Sequence, residues 1–91
     1  MGLHESSRKH ASIERELNEE RVAALMRISR TLESLIEQLQ ALAEDSRSHH
    51  SEHYARLQAR ARQYRWFLEV QREALGLRDH RILDDVYPIP A

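Results

Sequence analysis

The chain contains no cysteine, and it has only two glycines and two prolines among its 91 residues. Without cysteine it cannot form a disulfide, a thiolate metal site or a cysteine nucleophile. With so few turn-forming residues it cannot supply the many tight turns that an all-β or α/β domain needs. Alanine, leucine, glutamate, arginine and glutamine are abundant, and all of them favour helix. The sequence therefore predicts one small all-α domain.

Long apolar runs and a strong charge imbalance are also missing. No stretch approaches the roughly 18 consecutive apolar residues of a transmembrane helix, and residues 1–8 lack the apolar core of a signal peptide. We therefore expect a cytoplasmic protein without membrane contact. Fourteen Lys and Arg residues against 15 Asp and Glu residues leave a net charge of −1, which disfavours general binding to polyanions.

A first helix is predicted over residues 12–44, beginning at Ser12 as N-cap. Its second half carries a regular apolar seam with spacings of three and four, typical of a coiled coil: Leu25, Ile28, Leu32, Leu35, Leu39 and Leu42. The seam weakens in the first half, where Asn18 and Arg21 occupy its positions and Ile13 and Leu17 lie on a drifting stripe. The first three turns should therefore contact something other than the main seam, or project into solvent.

A second helix is predicted over residues 49–75, with Ser46 or Ser48 as its N-cap. It holds the only Trp and the only Phe of the chain. One apolar stripe continues the three-four spacing through Tyr54, Leu57, Ala61, Tyr64, Leu68, Gln71 and Leu75. A second stripe, formed by Phe67, Val70 and Ala74 with Trp66 beside it, implies neighbours on two sides. The short connection favours an antiparallel hairpin, in which an acidic first helix would pair with a basic second one.

The C-terminal residues contain the remaining turn signals. Gly76 followed by Leu77 predicts a Schellman stop, and Asp79 predicts the cap of a short helix over residues 80–86. The segment from Tyr87 to Pro90 should be extended, because a residue before proline avoids the α region. The domain organisation is thus a flexible segment 1–11, a hairpin 12–76 and a tail 77–91. We expect the tail to cover the aromatic face of helix 2, or to dock on another chain.

One small hairpin cannot cover all of its apolar surface, so we expect the chain to associate with itself. Two hairpins would pair into a four-helix bundle, as a homodimer or a higher oligomer. The residues predicted to carry this contact lie on both helices: Leu25, Ile28, Leu32, Leu35, Leu39, Leu42, Tyr64, Phe67 and Leu68.

Three groups of residues are candidates for other contacts. His49, Glu52 and His53 have helical spacing suited to a metal ion, although a solvated helix start explains them more simply. Arg56, Arg60, Arg62 and Arg65, interleaved with aromatic residues, could contact nucleic-acid phosphates, although a salt-bridged helix face is the simpler interpretation. A larger protein partner could dock on the apolar residues at the C-terminal end, which are Trp66, Val70, Ile82, Leu83, Val86 and Tyr87.

No catalytic residue and no cofactor are predicted, because no spacing among the acidic residues defines a nucleophile, an orienting group or an oxyanion site. The sequence favours a non-enzymatic, self-associating helical adaptor or regulatory subunit. A small RNA- or DNA-binding helical dimer is the alternative, and a metal-responsive helical bundle is a distant third.

Overall fold

The computed structural model describes the backbone of residues 2–45 and 51–91, and the side chains of residues 8–45 and 51–91. These residues form three helices and no strand: α1 (Gly2–Ala43), α2 (Glu52–Ala74) and α3 (Ile82–Val86). The two long helices pack side by side as an antiparallel hairpin, and residues 77–91, the tail, run back along α2. The all-α class and the hairpin agree with the expectation from sequence. No helix within the described part of the chain is long and apolar enough to cross a membrane.

The first helix is longer than predicted. It begins at Gly2, so the predicted start at Ser12 is wrong, and residues 2–11 are part of the helix. No glycine or proline lies between Gly2 and Ala43, so no residue of these two types interrupts the backbone hydrogen bonds of α1. At 1.5 Å per residue a helix of 42 residues spans about 63 Å, which accounts for most of the 70 Å length of the molecule.

The second helix has well-defined ends. The Ser51 side chain accepts a hydrogen bond of 3.0 Å from the Tyr54 backbone N–H, so Ser51 is the N-cap and the predicted caps Ser46 and Ser48 are wrong. At the other end Gly76 has φ +87°, the Leu77 N–H donates to the Arg72 carbonyl and the Gly76 N–H donates to the Glu73 carbonyl, both at 2.9 Å. These two bonds define a Schellman motif, as predicted.

The core lies between α1, α2 and the tail. It consists of nine buried apolar side chains from all three parts: Leu32, Leu35, Ile36 and Leu39 of α1, Tyr54, Leu57, Ala61 and Leu68 of α2, and Leu83 of the tail. No polar or charged residue is buried among the described side chains. Apolar packing therefore stabilises the hairpin, and ion pairs lie at its surface.

The tail is fastened to α2 along most of its length, in antiparallel direction. From one end to the other, Arg72 donates to the Asp79 carbonyl at 2.9 Å, Gln58 donates to the Pro90 carbonyl at 2.9 Å, and the Tyr54 hydroxyl donates to the main-chain oxygen of Ala91 at 3.0 Å. Arg65 and Asp84 form an ion pair between these two ends. The short helix begins at Ile82, two residues after the predicted start, and its N-cap is Arg81, so the predicted cap Asp79 is wrong. Asp79 instead accepts a hydrogen bond from the Arg81 N–H in a local turn.

Charge pairing between the two long helices does not occur among the described residues. Their ion pairs lie within α2 (Arg56 with Glu52), between α2 and the tail (Arg65 with Asp84, His80 with Glu73), or within the tail (Arg81 with Asp79). The expected attraction between an acidic first and a basic second helix therefore forms no contact. The two helices face each other through apolar side chains, which leaves their charges on the outer surfaces.

Candidate interaction surfaces

Four of the nine residues predicted to mediate self-association are buried within one chain. Leu32, Leu35, Leu39 and Leu68 are 0–5% exposed in the core of the hairpin. The others are half-buried beside it: Leu25, Ile28, Leu42, Tyr64 and Phe67. A second copy could reach the buried members only by opening the hairpin. The half-buried members remain accessible from one side.

The hairpin has two sides, and the tail covers only one of them. Around α2, the residues bonded to the tail lie to one side of the stripe that faces α1, and Tyr64, Phe67 and Gln71 lie to the other, as the helical period of 3.6 requires. On α1, Leu35 and Leu42 border that second side. We call it the open groove, lined by Leu35, Leu42, Tyr64 and Phe67. The Phe67 ring is 5.5 Å from the Tyr64 ring, edge to face, which gives the groove a firm aromatic wall.

The back of α2 carries an apolar surface that no described residue covers. Trp66 is 59% exposed and Val70 is 40% exposed, and the Trp66 ring rests against the Phe67 ring at 5.6 Å. The expectation that the tail covers this face is therefore wrong. Leu83 and the Schellman turn direct the tail to the side of α2 that carries Tyr54, Gln58 and Arg65, where it seals the core.

The N-terminal part of α1 extends beyond the hairpin. The 42 residues of α1 exceed the 23 residues of α2 by 19, and Gln71, near the end of α2, lines a shallow depression with Leu17, Ala24 and Arg27. Residues 2–20, which we call the arm, therefore have no neighbouring helix. Ile13 is 54% exposed and Leu17 is 44% exposed on the arm. The weak seam in this half of the helix thus corresponds to a segment that projects past α2.

The apolar residues of the C-terminal end divide into two sets. Leu83 is 2% exposed and is therefore unavailable to a partner, whereas Tyr87 is half-buried against the core. Ile82 and Val86, one turn apart on α3, are 55% and 54% exposed. Of the six residues predicted to dock a larger protein, four therefore lie at the surface: Trp66, Val70, Ile82 and Val86.

The four arginines proposed for nucleic-acid contact do not form one patch. Arg60 and Arg62 point in directions about 160° apart around the helix axis. Arg65 is ion-paired with Asp84, the Arg60 guanidinium lies 5.9 Å above the Tyr64 ring, and Arg56 faces Glu52 at 3.9 Å. Phosphates of one strand could therefore engage only part of this set.

The metal candidates are divided between described and undescribed residues. His49 lies outside the described residues. Glu52 and His53 are exposed at the first turn of α2. Within the described ranges, 2–45 and 51–91, no group of three or more His, Asp or Glu side chains is placed to hold a metal ion.

Two polar clusters lie at the start of the tail, one that bridges it to α2 and one within it. His80 accepts from Arg72 at Nδ1 (3.4 Å) and lies 3.1 Å from the Glu73 carboxylate through Nε2, which a neutral ring protonated on Nε2 satisfies. Hydrogen bonds from the Arg81 guanidinium lower the pKa of the Asp79 carboxyl, and the same pairing raises the pKa of Arg81. The Glu73 contact fastens the tail to α2, and the Asp79 contact fixes the local turn before α3.

Comparison of the chain with protein-family models, with curated proteins and with solved structures finds no significant match. Its function must therefore be inferred from the surfaces described above.

Proposed function

We propose that the protein is a non-enzymatic helical adaptor or regulatory subunit that acts through protein–protein contacts and associates with itself. The observation that carries this proposal is the exposure of large apolar side chains on two elongated surfaces, the arm of α1 and the back of α2. Contiguous apolar surface of this kind is typical of interaction sites. A cytoplasmic location remains part of the proposal.

The shape of the molecule supports contacts with macromolecules over chemistry on a small substrate. The described chain measures 70 × 21 × 15 Å, and a hairpin only two helices thick offers little depth for the enclosed, largely apolar pocket that small ligands require. An exposed tryptophan beside a phenylalanine is a common anchor in protein interfaces. We therefore assign Trp66 and Val70 to a partner surface, and the arm to self-association.

Sedimentation velocity of the full chain tests the self-association directly. We expect a dimer at low micromolar concentration, with a sedimentation coefficient that falls on dilution. Leu17→Glu should shift the equilibrium to monomer without loss of helix content in circular dichroism, because Leu17 contributes nothing to the core of one chain. A folded monomer at every concentration would contradict the proposal.

Met26→Glu is the matched control for this experiment. Met26 is exposed to the same degree, 48% against 44% for Leu17, but it lies on a different side of α1, about 180° away around the helix axis. A dimer that tolerates Met26→Glu and not Leu17→Glu would localise the contact to one side of the arm.

A further inference from the structure

Two exposed apolar residues of the tail lie on the side of α3 that faces α1. Asp84 faces α2, because it is ion-paired with Arg65, and Leu83 enters the core. Ile82 and Val86 are each two residues from Asp84, which is about 200° around the helix axis, so both point away from α2. Both are more than half exposed. The border between the tail and α1 is therefore apolar on the tail side.

Two exposed apolar residues of α1 lie on the same side of the molecule. Val22 and Met26 are about 40° and 80° from the buried Ile36 around the helix axis, turned away from Leu35 and the open groove. This is the side of the hairpin that the tail covers. Val22 and Met26 line one shallow depression with Glu19, and both are about half exposed. The border is therefore apolar on the α1 side as well.

These residues follow one another along the molecule. Gln71 of α2 lies beside Ala24, so antiparallel packing puts Arg65, six residues earlier, beside residue 30 of α1. The ion pair of Arg65 with Asp84 places α3 at that level, and the tail runs in the same direction as α1. Over about 15 Å of the long axis the order is therefore Val22, Met26, Ile82 and Val86. We call this row the apolar strip.

We infer that the apolar strip docks an amphipathic helix of another protein, with apolar side chains on the inner face of that helix and Lys or Arg on its flanks. The two α1 residues of the strip are one helical turn apart, about 6 Å, and so are its two α3 residues. Side chains four apart on a bound helix have the same spacing, as in other complexes of a helix in an apolar groove. The strip is separate from the surface of Trp66 and Val70, so it adds a second partner surface to the proposed function.

The charges along the strip define the chemistry of the partner. From one turn before the strip to one turn after it, three acidic residues border it, Glu19, Glu33 and Asp85, against one arginine, Arg30. None of these four takes part in an ion pair among the described side chains. A basic helix would pair with this border, whereas the phosphates of a nucleic acid or of an anionic lipid surface would be repelled by it.

A second copy of the chain fits the strip less well than another protein does. The basic helix of the chain is α2, with five arginines and three glutamates. Docking of α2 of one copy on the strip of the next would join two different surfaces. Such a contact generates rings or open chains of copies, in place of the dimer proposed above.

Two designed peptides test the strip on the full chain. Each is a synthetic helix of about 14 residues, or about 21 Å, with leucine along one face and either lysine or glutamate at all other positions. Fluorescence anisotropy measures the Kd of each labelled peptide. We expect the lysine peptide to bind, and the glutamate peptide to bind at least roughly tenfold more weakly. Glu33→Lys should weaken binding of the lysine peptide roughly 2- to 30-fold and strengthen binding of the glutamate peptide.

Val86→Lys and Trp66→Lys are a matched pair of variants, because the two residues are similarly exposed, 54% and 59%, on different sides of the molecule. Val86→Lys should weaken binding of the lysine peptide at least roughly tenfold, since it replaces an apolar contact by a like charge. Trp66→Lys should leave the Kd unchanged. Circular dichroism checks that both variants keep the helix content of the wild type.

Three results would overturn the inference and leave the proposed function standing. The first is equal Kd values for the two peptides, or no binding of the lysine peptide. The second is binding that is lost in Trp66→Lys and kept in Val86→Lys, which would assign the peptide to the surface on α2. The third is loss of the wild-type dimer in Met26→Glu, which would place a second copy on the strip.

Discussion

At the scale of single residues, burial separates side chains that look equivalent in the sequence. Leu68 and Val70 are two positions apart on α2 and are both apolar, yet Leu68 is 2% exposed and Val70 is 40% exposed. The two positions point in different directions around the helix, and only one of these directions faces α1. Stability should therefore depend on one of them and association with a partner on the other.

The first prediction compares these two residues. Leu68→Ala should lower the free energy of unfolding by about 2–5 kcal/mol, because it removes buried methyl groups and leaves a cavity. Val70→Ala should change it by less than about 1 kcal/mol. Urea unfolding, monitored by circular dichroism at equal protein concentration, measures the free energy of unfolding of both variants. Equal losses for the two variants would mean that Val70 is covered in solution.

The second prediction concerns the lowered pKa of Asp79. A carboxyl with a lowered folded-state pKa contributes stability that is complete above its ordinary value of 3.8 and is lost as the pH falls through the lower folded value. Arg81→Gln should raise the pKa of Asp79, since Arg81 is the main cause of the shift. Carbon-detected NMR titration of the carboxyl measures the pKa of Asp79. Arg78→Gln, at an exposed position, is the control. A pKa that does not respond to Arg81→Gln would disprove the assignment.

At the scale of elements, the tail acts as the third wall of the core. It has no helix long enough to be stable alone, and one side chain, Leu83, enters the core while polar contacts hold the chain on both sides of it. The path of the tail is set by the Schellman turn at Gly76 and by the α2 residues that bond to it. The tail therefore folds because α1 and α2 have already formed its binding site.

The third prediction tests this dependence. Leu83→Ala should increase amide hydrogen exchange throughout residues 77–91, because the tail loses its only fully buried side chain. Ile82→Ala, at the adjacent and 55% exposed position, should leave the exchange unchanged. The fluorescence of Trp66 should be the same in both variants, since the tail lies on another side of α2. A shift of that emission in Leu83→Ala would show that the tail also covers the tryptophan.

At the scale of the whole molecule, the unequal lengths of α1 and α2 are the main feature to explain. One chain alone leaves the arm without a neighbour and leaves one side of the hairpin open. The proposed self-association would give the arm a neighbour that a single chain does not supply.

The helical class, the hairpin and the Schellman stop were all predictable from the sequence, because each depends on local features. Two glycines, an apolar seam with spacings of three and four, and the Gly76–Leu77 pair are sufficient to predict them. The burial of Leu32, Leu39 and Leu68 was predictable from the same apolar seam. The sequence analysis, however, assigned these residues to a contact between two chains. The amino-acid pattern alone cannot distinguish a seam within one chain from a seam between two, because both satisfy the same period.

Only the tertiary structure decided which side of α2 the tail covers and which apolar residues remain exposed. These outcomes depend on contacts between residues far apart in the sequence, such as Tyr54 with Ala91 and Arg65 with Asp84. Local propensity contains no information about them. The sequence by itself determined that the chain forms two amphipathic helices. The difference in their lengths, and with it the unpartnered arm, became visible only when the helices were placed side by side.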